Sequence, residues 1–299
     1  MDSKQRTSEF SHRRFGMFIH WGLYSIAARH EWLQHIEAMD AASYARYIDR
    51  LNPDKLDPRK WAAQARRAGM RYVILTTKHH DGFCLWDSET TAFKITNSPC
   101  KRDLVQEFVE ACRAEDLQVG LYFSLIDWHH PHFTLDSLHP ETLRLARKYG
   151  GFRPGMNHCQ FDTSQIRDPE FHHEIATVNK SRNMAVYRDY MKAQLNELLT
   201  QYGPVDILWF DFSYKHFFSD GKTAEDWDSE GIIEEVKALQ PHILINNRLD
   251  LPEEADFFTP EQTVPYGPLV DRKGKAITWE GCHTFSGSWG YHRDEHNWK

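Results

Sequence analysis

The segment VDILWFDFS (205–213) decides how this chain is read. Val205, Ile207 and Leu208 make an apolar run of the length and composition of a strand covered on both faces. The run then delivers Trp209, Phe210 and Asp211, so a buried strand ends in a carboxylate. Turn or N-cap duty accounts for one such aspartate. Its meaning depends on what the other strands carry at their ends.

Outward from that segment, strand-like and helix-like stretches alternate. GMFIHWG (16–22), RYVILTT (71–77), VGLYFSL (119–125), HILINN (242–247) and AITWEG (276–281) read as further strands. DPRKWAAQARRAG (57–69) is a helix with proline in its first turn and glycine as its stop. RDLVQEFVEACRAED (102–116) sets Leu104, Val105, Phe108, Val109 and Cys112 on one helical face. Met184, Tyr187, Met191, Leu195 and Leu198 mark another helix, and EGIIEEVKALQ (230–240) a further one. The rhythm comes without a Gly-x-Gly-x-x-Gly loop or a Walker motif. It predicts an α/β fold, an irregular (β/α)8-like, TIM-type barrel forming one domain over residues 1–299. Residues 1–12 are expected to be a disordered extension. The polar, histidine-rich stretch 129–182 is longer than a compact domain tolerates without purpose, and is expected to be a substrate loop.

Composition excludes several functions. Hydrophobic residues make up 40% of the 299, enough for a real core, and the net charge of −7, with both signs mixed, argues against a nucleic-acid partner. Every apolar stretch is broken by charge before reaching membrane-spanning length. The opening MDSKQRTSEFSHRRFG has no apolar h-region, so a cytoplasmic protein is expected. The five cysteines form no C-x-x-C pair and are expected to be reduced thiols. Ten tryptophans and eighteen histidines suit a ligand that is both stacked and hydrogen-bonded.

The strand ends form one series: His20 and Trp21; Lys78, His79, His80 and Asp81; Tyr122 with Asp127, Trp128, His129 and His130; Trp209 and Asp211; Asn246, Asn247 and Arg248; Trp279 and Glu280. Turn chemistry favours Gly, Asn, Ser and Pro, and does not explain such a series. In a barrel the chemistry sits where strands end. Two chemistries fit. The histidine doublets, with His132, could ligate a metal, although adjacent residues on a strand point to opposite faces and each doublet supplies one inward ligand. Alternatively, His, Trp and Arg bind sugar hydroxyls while two carboxylates perform acid–base and nucleophilic work.

GMFIHWGLYS, HEWLQ, TTKHHDGFCLWDS, RDLVQEFVEACR, VGLYFSLIDWHHP, VDILWFD, INNR and WEGC…SWGY together resemble the α-L-fucosidases of glycoside hydrolase family 29, in the right order from about residue 13 onward. The resemblance implies a barrel-like catalytic domain and a retaining mechanism that uses neither metal nor cofactor. It implies that Asp211 is the nucleophile and that His20, Glu31, His79, His80, Tyr122 and Trp209 bind fucose. Trp32 is a candidate for the site wall, and Arg248 matches an arginine near the nucleophile. For the acid/base, Glu261 follows Arg248 at a spacing similar to the family's. Glu280 is the runner-up, placed by its position at a strand end.

Members of that family continue past the SWGYHRDEHNWK with which this chain stops. The expectation is a barrel lacking its last β/α unit, with open edges near 16–22 and 276–281. Such edges invite pairing with a second copy or a completing chain. The partner expected from the site is a fucosylated glycan or small fucoside. A weakly catalytic fucose-binding remnant and a metal-dependent hydrolase are the alternatives.

Overall fold

The computed structural model describes residues 3–151, 161–212, 218–271 and 273–299; Cys159 lies outside them. Five parallel strands lie side by side in chain order: β1 (Gly16–Ile19), β2 (Tyr72–Lys78), β3 (Gln118–Ser124), β4 (Ile207–Asp211) and β5 (Leu244–Ile245). Helices Pro58–Arg67, Leu104–Ala114, Met184–Thr200 and Ser229–Leu239 connect them in turn. The helix starts are written locally. Asp57, Asp103 and Asn183 each accept a backbone N–H of the first turn, at Arg59, Gln106 and Ala185.

Side chains alternate across the strands. Val73, Leu75, Val119, Leu121, Phe123, Leu208 and Phe210 turn outward into a core shared with the helices, including Val105, Phe108, Met191 and Leu195. Tyr72, Ile74, Tyr122, Ile207, Trp209 and Leu244 turn inward and meet Phe10, Phe257 and Cys282. Gly16 is fixed by this inward packing, because a Cβ there would sit 2.3 Å from the Tyr72 ring.

Two of the expected strands change. The strand expected at 242–247 shortens to Leu244–Ile245, because Asn246 pairs through its side chain: its amide accepts from Phe210 N at 3.0 Å and donates to Phe210 O at 2.9 Å. The strand expected at 276–281 is not a regular strand. Beyond β5 the wall continues as two extended segments joined by isolated parallel bridges, Phe258 to Trp279 and Glu261 to Cys282. Pro260 lies between those bridges and has no N–H to give the ladder. The sheet does not close on β1, and a cavity of about 950 Å³ lies between β1 and residues 276–298.

The N-terminal extension is a helix, Ser3–Arg13, rather than disordered. Phe10 inserts beneath the inward cluster, with ring centroids 5.5 Å from Tyr72 and 4.9 Å from Phe257. Apolar area at the foot of the sheet needs a cover, and one buried aromatic suffices to order the turn that bears it.

The described parts of the expected loop, 129–151 and 161–182, are likewise folded rather than irregular, while 152–160 lie outside the described residues. Helices Pro140–Lys148 and Pro169–Lys180 pack their own cluster around Leu143, Ala146, Phe161 and Phe171. Buried polar contacts tie this unit to the segment after β4. Lys222 pairs with Asp136, while Asp220 accepts from Ser137 at 2.6 Å and Thr163 at 2.8 Å.

Phe10→Ala should cost about 3 kcal/mol, since truncating a buried Phe typically costs that much. Urea unfolding checks it as a lower midpoint at unchanged slope. An unchanged midpoint would mean that the helix does not cover the sheet.

Candidate active site

The inward stripe changes character along the strands. Low in the sheet it is Tyr72, Ile74 and Ile207; at the C-terminal ends it is His20, Tyr122, Trp209 and Asp211. Register brings these into one layer, with Tyr122 opposite Trp209 and Ser124 opposite Asp211.

Asp211 is 9% exposed and gripped from two sides. Tyr122 O–H donates to Oδ2 at 2.8 Å, and Arg248 NH1 donates to Oδ1 at 3.2 Å. His80 Nε2 stands 3.9 Å from Oδ2. Burial pushes the Asp211 carboxyl up to about 7, the Arg248 charge and the Tyr122 O–H pull it down, and the Glu261 charge pushes it further up.

Arg248 sits in the tight turn Asn247–Leu249 after β5 and is aimed by its neighbours. Its Nε donates to Thr259 Oγ1 at 2.9 Å, and Thr259 Oγ1 donates to Asn247 Oδ1 at 3.1 Å. The second terminal nitrogen, NH2, donates to Glu261 Oε2 at 2.8 Å. One guanidinium therefore holds both Asp211 and Glu261. Its plane also lies over the Trp209 ring, 5.1 Å from the centroid. Asp211 is nearly covered, whereas the Glu261 side chain is 40% exposed. Asp211 is therefore the inner carboxylate of the pair and Glu261 the outer one.

The histidines form the adjoining wall. His79 stacks on Tyr122 with centroids 5.7 Å apart at 12°, and His20 meets His79 edge-on at 5.8 Å. Trp32 packs edge-on to His80 at 4.9 Å. Burial lowers His20 to about 3 and holds His79 and His80 well below the ordinary imidazole range, so all three are neutral near pH 7. Glu31 is buried, and its carboxylate accepts the backbone N–H of Gly290 at 2.9 Å and of Trp289 at 3.3 Å.

The other strand-end residues turn away from this layer. Lys78 pairs with Asp127 at 3.3 Å, both buried behind the histidines, and Asp81 accepts the Tyr44 O–H at 2.6 Å. His129 stacks on Phe93 at 4.0 Å, and His130 packs on Tyr190 at 4.3 Å. His132 Nδ1 accepts from Asn183 N at 3.2 Å. The doublets do not converge, and among the described residues no three His, Cys, Asp or Glu side chains are grouped to hold a metal ion.

A family model described as alpha-L-fucosidase matches residues 1–299. The chain belongs to the α-L-fucosidase family. Human plasma alpha-L-fucosidase is 26% identical over 320 residues, covering 98% of this chain and 57% of its own length. Alpha-L-fucosidase isoenzyme 1 from Paenibacillus thiaminolyticus superposes with a TM-score of 0.83 at 41% identity, over 99% of this chain and 65% of that one. A Bacteroides thetaiotaomicron GH29 alpha-L-fucosidase, solved as a trapped covalent intermediate with 2-fluoro-fucosyl fluoride in a glutamate-to-glutamine variant, superposes at 0.73. It is 28% identical, over 100% of this chain and 64% of that one. The chain thus spans between half and two thirds of the length of these relatives.

In this α-L-fucosidase family member the two candidate acid/base glutamates part company. Glu261 shares Arg248 with Asp211, whereas Glu280 lies near the Tyr72 hydroxyl and the Trp209 indole N–H. Neither Glu280 Oε2 nor Trp209 Nε1 has a hydrogen-bond partner among the described residues. Burial pushes Glu280 up to about 7.

Some contributors escape sequence reasoning. Trp289 stacks on His20, with centroids 5.2 Å apart at 27°, and Phe18 meets Trp209 edge-on at 5.3 Å. Thr259, which no strand-end pattern marks, accepts from Arg248 Nε and helps aim the guanidinium. SWGY (288–291) was a visible motif, yet nothing local says that residue 289 returns to residue 20.

The raised Glu280 carboxyl stabilises the fold fully below its unfolded value near 4.3, and that contribution is lost as pH rises toward 7. Glu280→Gln imitates the protonated form and removes the dependence. Thermal melts should therefore show the variant pulling ahead of the wild type between pH 4.5 and 7, by on the order of 2 kcal/mol. A pH-independent difference would mean that Glu280 is not held protonated.

Proposed function

We propose that this chain carries the catalytic site of a retaining exo-α-L-fucosidase, which releases terminal α-L-fucosyl residues from glycans or small fucosides through a covalent fucosyl-enzyme intermediate. The observation that carries it is the pair Asp211 and Glu261 on one guanidinium, inside a pocket walled by neutral histidines and aromatic faces. A retaining enzyme needs its two carboxyls about 5–5.5 Å apart, one as nucleophile and one as acid/base. A shared fork brings the two carboxyls to neighbouring nitrogens of one guanidinium, one inner and one outer. The trapped intermediate of the Bacteroides relative supports the same chemistry.

The steps follow from the placement. Asp211, ionised against Arg248 and Tyr122, attacks the anomeric carbon. Glu261, at the mouth, gives its proton to the departing glycosidic oxygen. Once Asp211 is esterified its charge is gone, and Arg248 keeps the Glu261 carboxylate as its remaining partner. That carboxylate then takes a proton from water, which attacks the same carbon and releases fucose with its anomeric configuration retained. Buried neutral imidazoles bind sugar hydroxyls without adding charge that would oppose an oxocarbenium-like transition state. Trp209 and Phe18 offer apolar faces to the C6 methyl, where a hydroxymethyl sugar would leave a hydroxyl unpaired.

Release of 4-nitrophenol from its α-L-fucoside tests the reading. Asp211→Ala should lower turnover by about 10⁴-fold. Glu261→Ala should cost about 10²–10⁴-fold on glycans, and less on the nitrophenyl substrate, whose leaving group needs little protonation. Near-full turnover in Asp211→Ala would sink the assignment.

The pH profile provides a separate check. The acid limb of kcat/KM follows ionisation of the free-site nucleophile, which burial places at about 7. Arg248 favours the ionised form, so Arg248→Gln should move that limb to higher pH. A limb that stays in place would detach Arg248 from Asp211.

A further inference from the structure

Ser124 ends β3 directly opposite Asp211 and is fully buried. Its hydroxyl meets three partners. It accepts from Ile126 N at 3.1 Å, lies 2.8 Å from Ile126 O, and lies 2.7 Å from His80 Nδ1. A hydroxyl has one hydrogen to give. Ile126 O only accepts, and among the described residues Ser124 is the one donor that reaches it. The Ser124 hydrogen therefore goes to Ile126 O, and its oxygen receives the Nδ1–H of His80. A neutral imidazole protonated on Nδ1 has a bare Nε2. His79, Trp32, Trp128 and Phe212 pack around the ring at centroid distances of 4.1, 4.9, 5.5 and 5.5 Å, which fixes its orientation.

We propose that Ser124 is a positioning residue that locks His80 as the Nδ1–H tautomer, so that Nε2 faces Asp211 as a hydrogen-bond acceptor for a sugar hydroxyl. Nε2 and Asp211 Oδ2 are 3.9 Å apart, and the Tyr122 O–H already donates to that oxygen. In the opposite tautomer an Nε2–H, rather than a lone pair, would face the nucleophile from 3.9 Å, and no acceptor would be left there for a sugar hydroxyl. In the locked tautomer Nε2 takes the hydrogen of the hydroxyl lying beside the anomeric carbon and leaves Asp211 unencumbered. Three centres thus work in line: Ile126 O fixes the serine hydrogen, the serine oxygen fixes the imidazole proton, and the imidazole lone pair selects a hydroxyl donor. The sugar role rests on the fucosidase reading. The tautomer does not.

Long-range 1H–15N correlation spectra of the 15N-histidine-labelled protein read the tautomer directly, with His80 assigned by its disappearance in His80→Gln. The wild type should show His80 with Nδ1 protonated and Nε2 bare. In Ser124→Ala the two nitrogens should move toward an averaged or inverted pattern, and kcat/KM for the 4-nitrophenyl fucoside should fall about tenfold, the worth of one strong buried hydrogen bond. Ser124→Thr, which keeps the hydroxyl, should restore both readouts. A wild-type spectrum with Nε2 protonated would overturn the proposal and needs no variant to fold. An unchanged tautomer in Ser124→Ala would overturn it as well. The expected spectra without any fucoside turnover would overturn the sugar role alone and point to failure of the fucosidase reading.

Discussion

A single guanidinium organises the site. Two carboxylates at the top of an aromatic-lined site repel one another, and leaving the buried Asp211 unpaired would cost several kcal/mol. Arg248 answers both with one planar fork, NH1 to Asp211 and NH2 to Glu261. Its direction is held by Thr259 and Asn247, so the separation of the two acids is set by backbone geometry rather than by side-chain mobility. Asp211 can then be buried enough to exclude water while its charge stays compensated. Glu261 stays near solvent while keeping the same partner.

That arrangement depends on the sheet beneath it. Inward residues alternate with a period of two, and the parallel register sets Tyr122 level with Trp209 and, one inward step higher, Ser124 level with Asp211. Below them the interior is apolar and closed from underneath by Phe10. A one-residue slip in β4 would send Asp211 outward into the helix layer and bring Phe210 inward, so the hydrophobic pattern that fixes the register also fixes the direction of the Asp211 carboxylate.

Much of the fold was legible because it is written locally. Alternating apolar runs and capped helices placed β1 to β4 and the connecting helices within a few residues, and the strand ends pointed to one functional layer. Misreadings came where local and tertiary information diverge. Residues 129–182 looked like a loop because they are polar and rich in histidine. His139-Pro140-Glu141 and Asp168-Pro169-Glu170 are nevertheless helix starts, with His139 and Asp168 capping the N–H of Glu141 and Glu170. Those signals were present and outweighed by composition. The N-terminal helix offered less to read, since its order comes from one aromatic reaching a cluster built from residues far along the chain.

By itself, the sequence determined which residues could be catalytic, because acids, imidazoles and an arginine at the ends of buried strands are costly unless used. It also determined the strands and helices, because propensity, capping and periodicity act over a few residues. Only the tertiary structure decided which glutamate stands with Asp211. Family spacing favoured Glu261 over Glu280 without placing either, and the physical difference is that one meets the Arg248 fork while the other turns toward Tyr72 and Trp209. The protonation of His80 was decided there too, by a serine that local pattern marks as nothing more than the end of a strand. Hydrogen bonds act over about 3 Å in space and at any distance along the chain. The chemistry of a site is therefore settled by which residues meet, and the sequence names only the candidates.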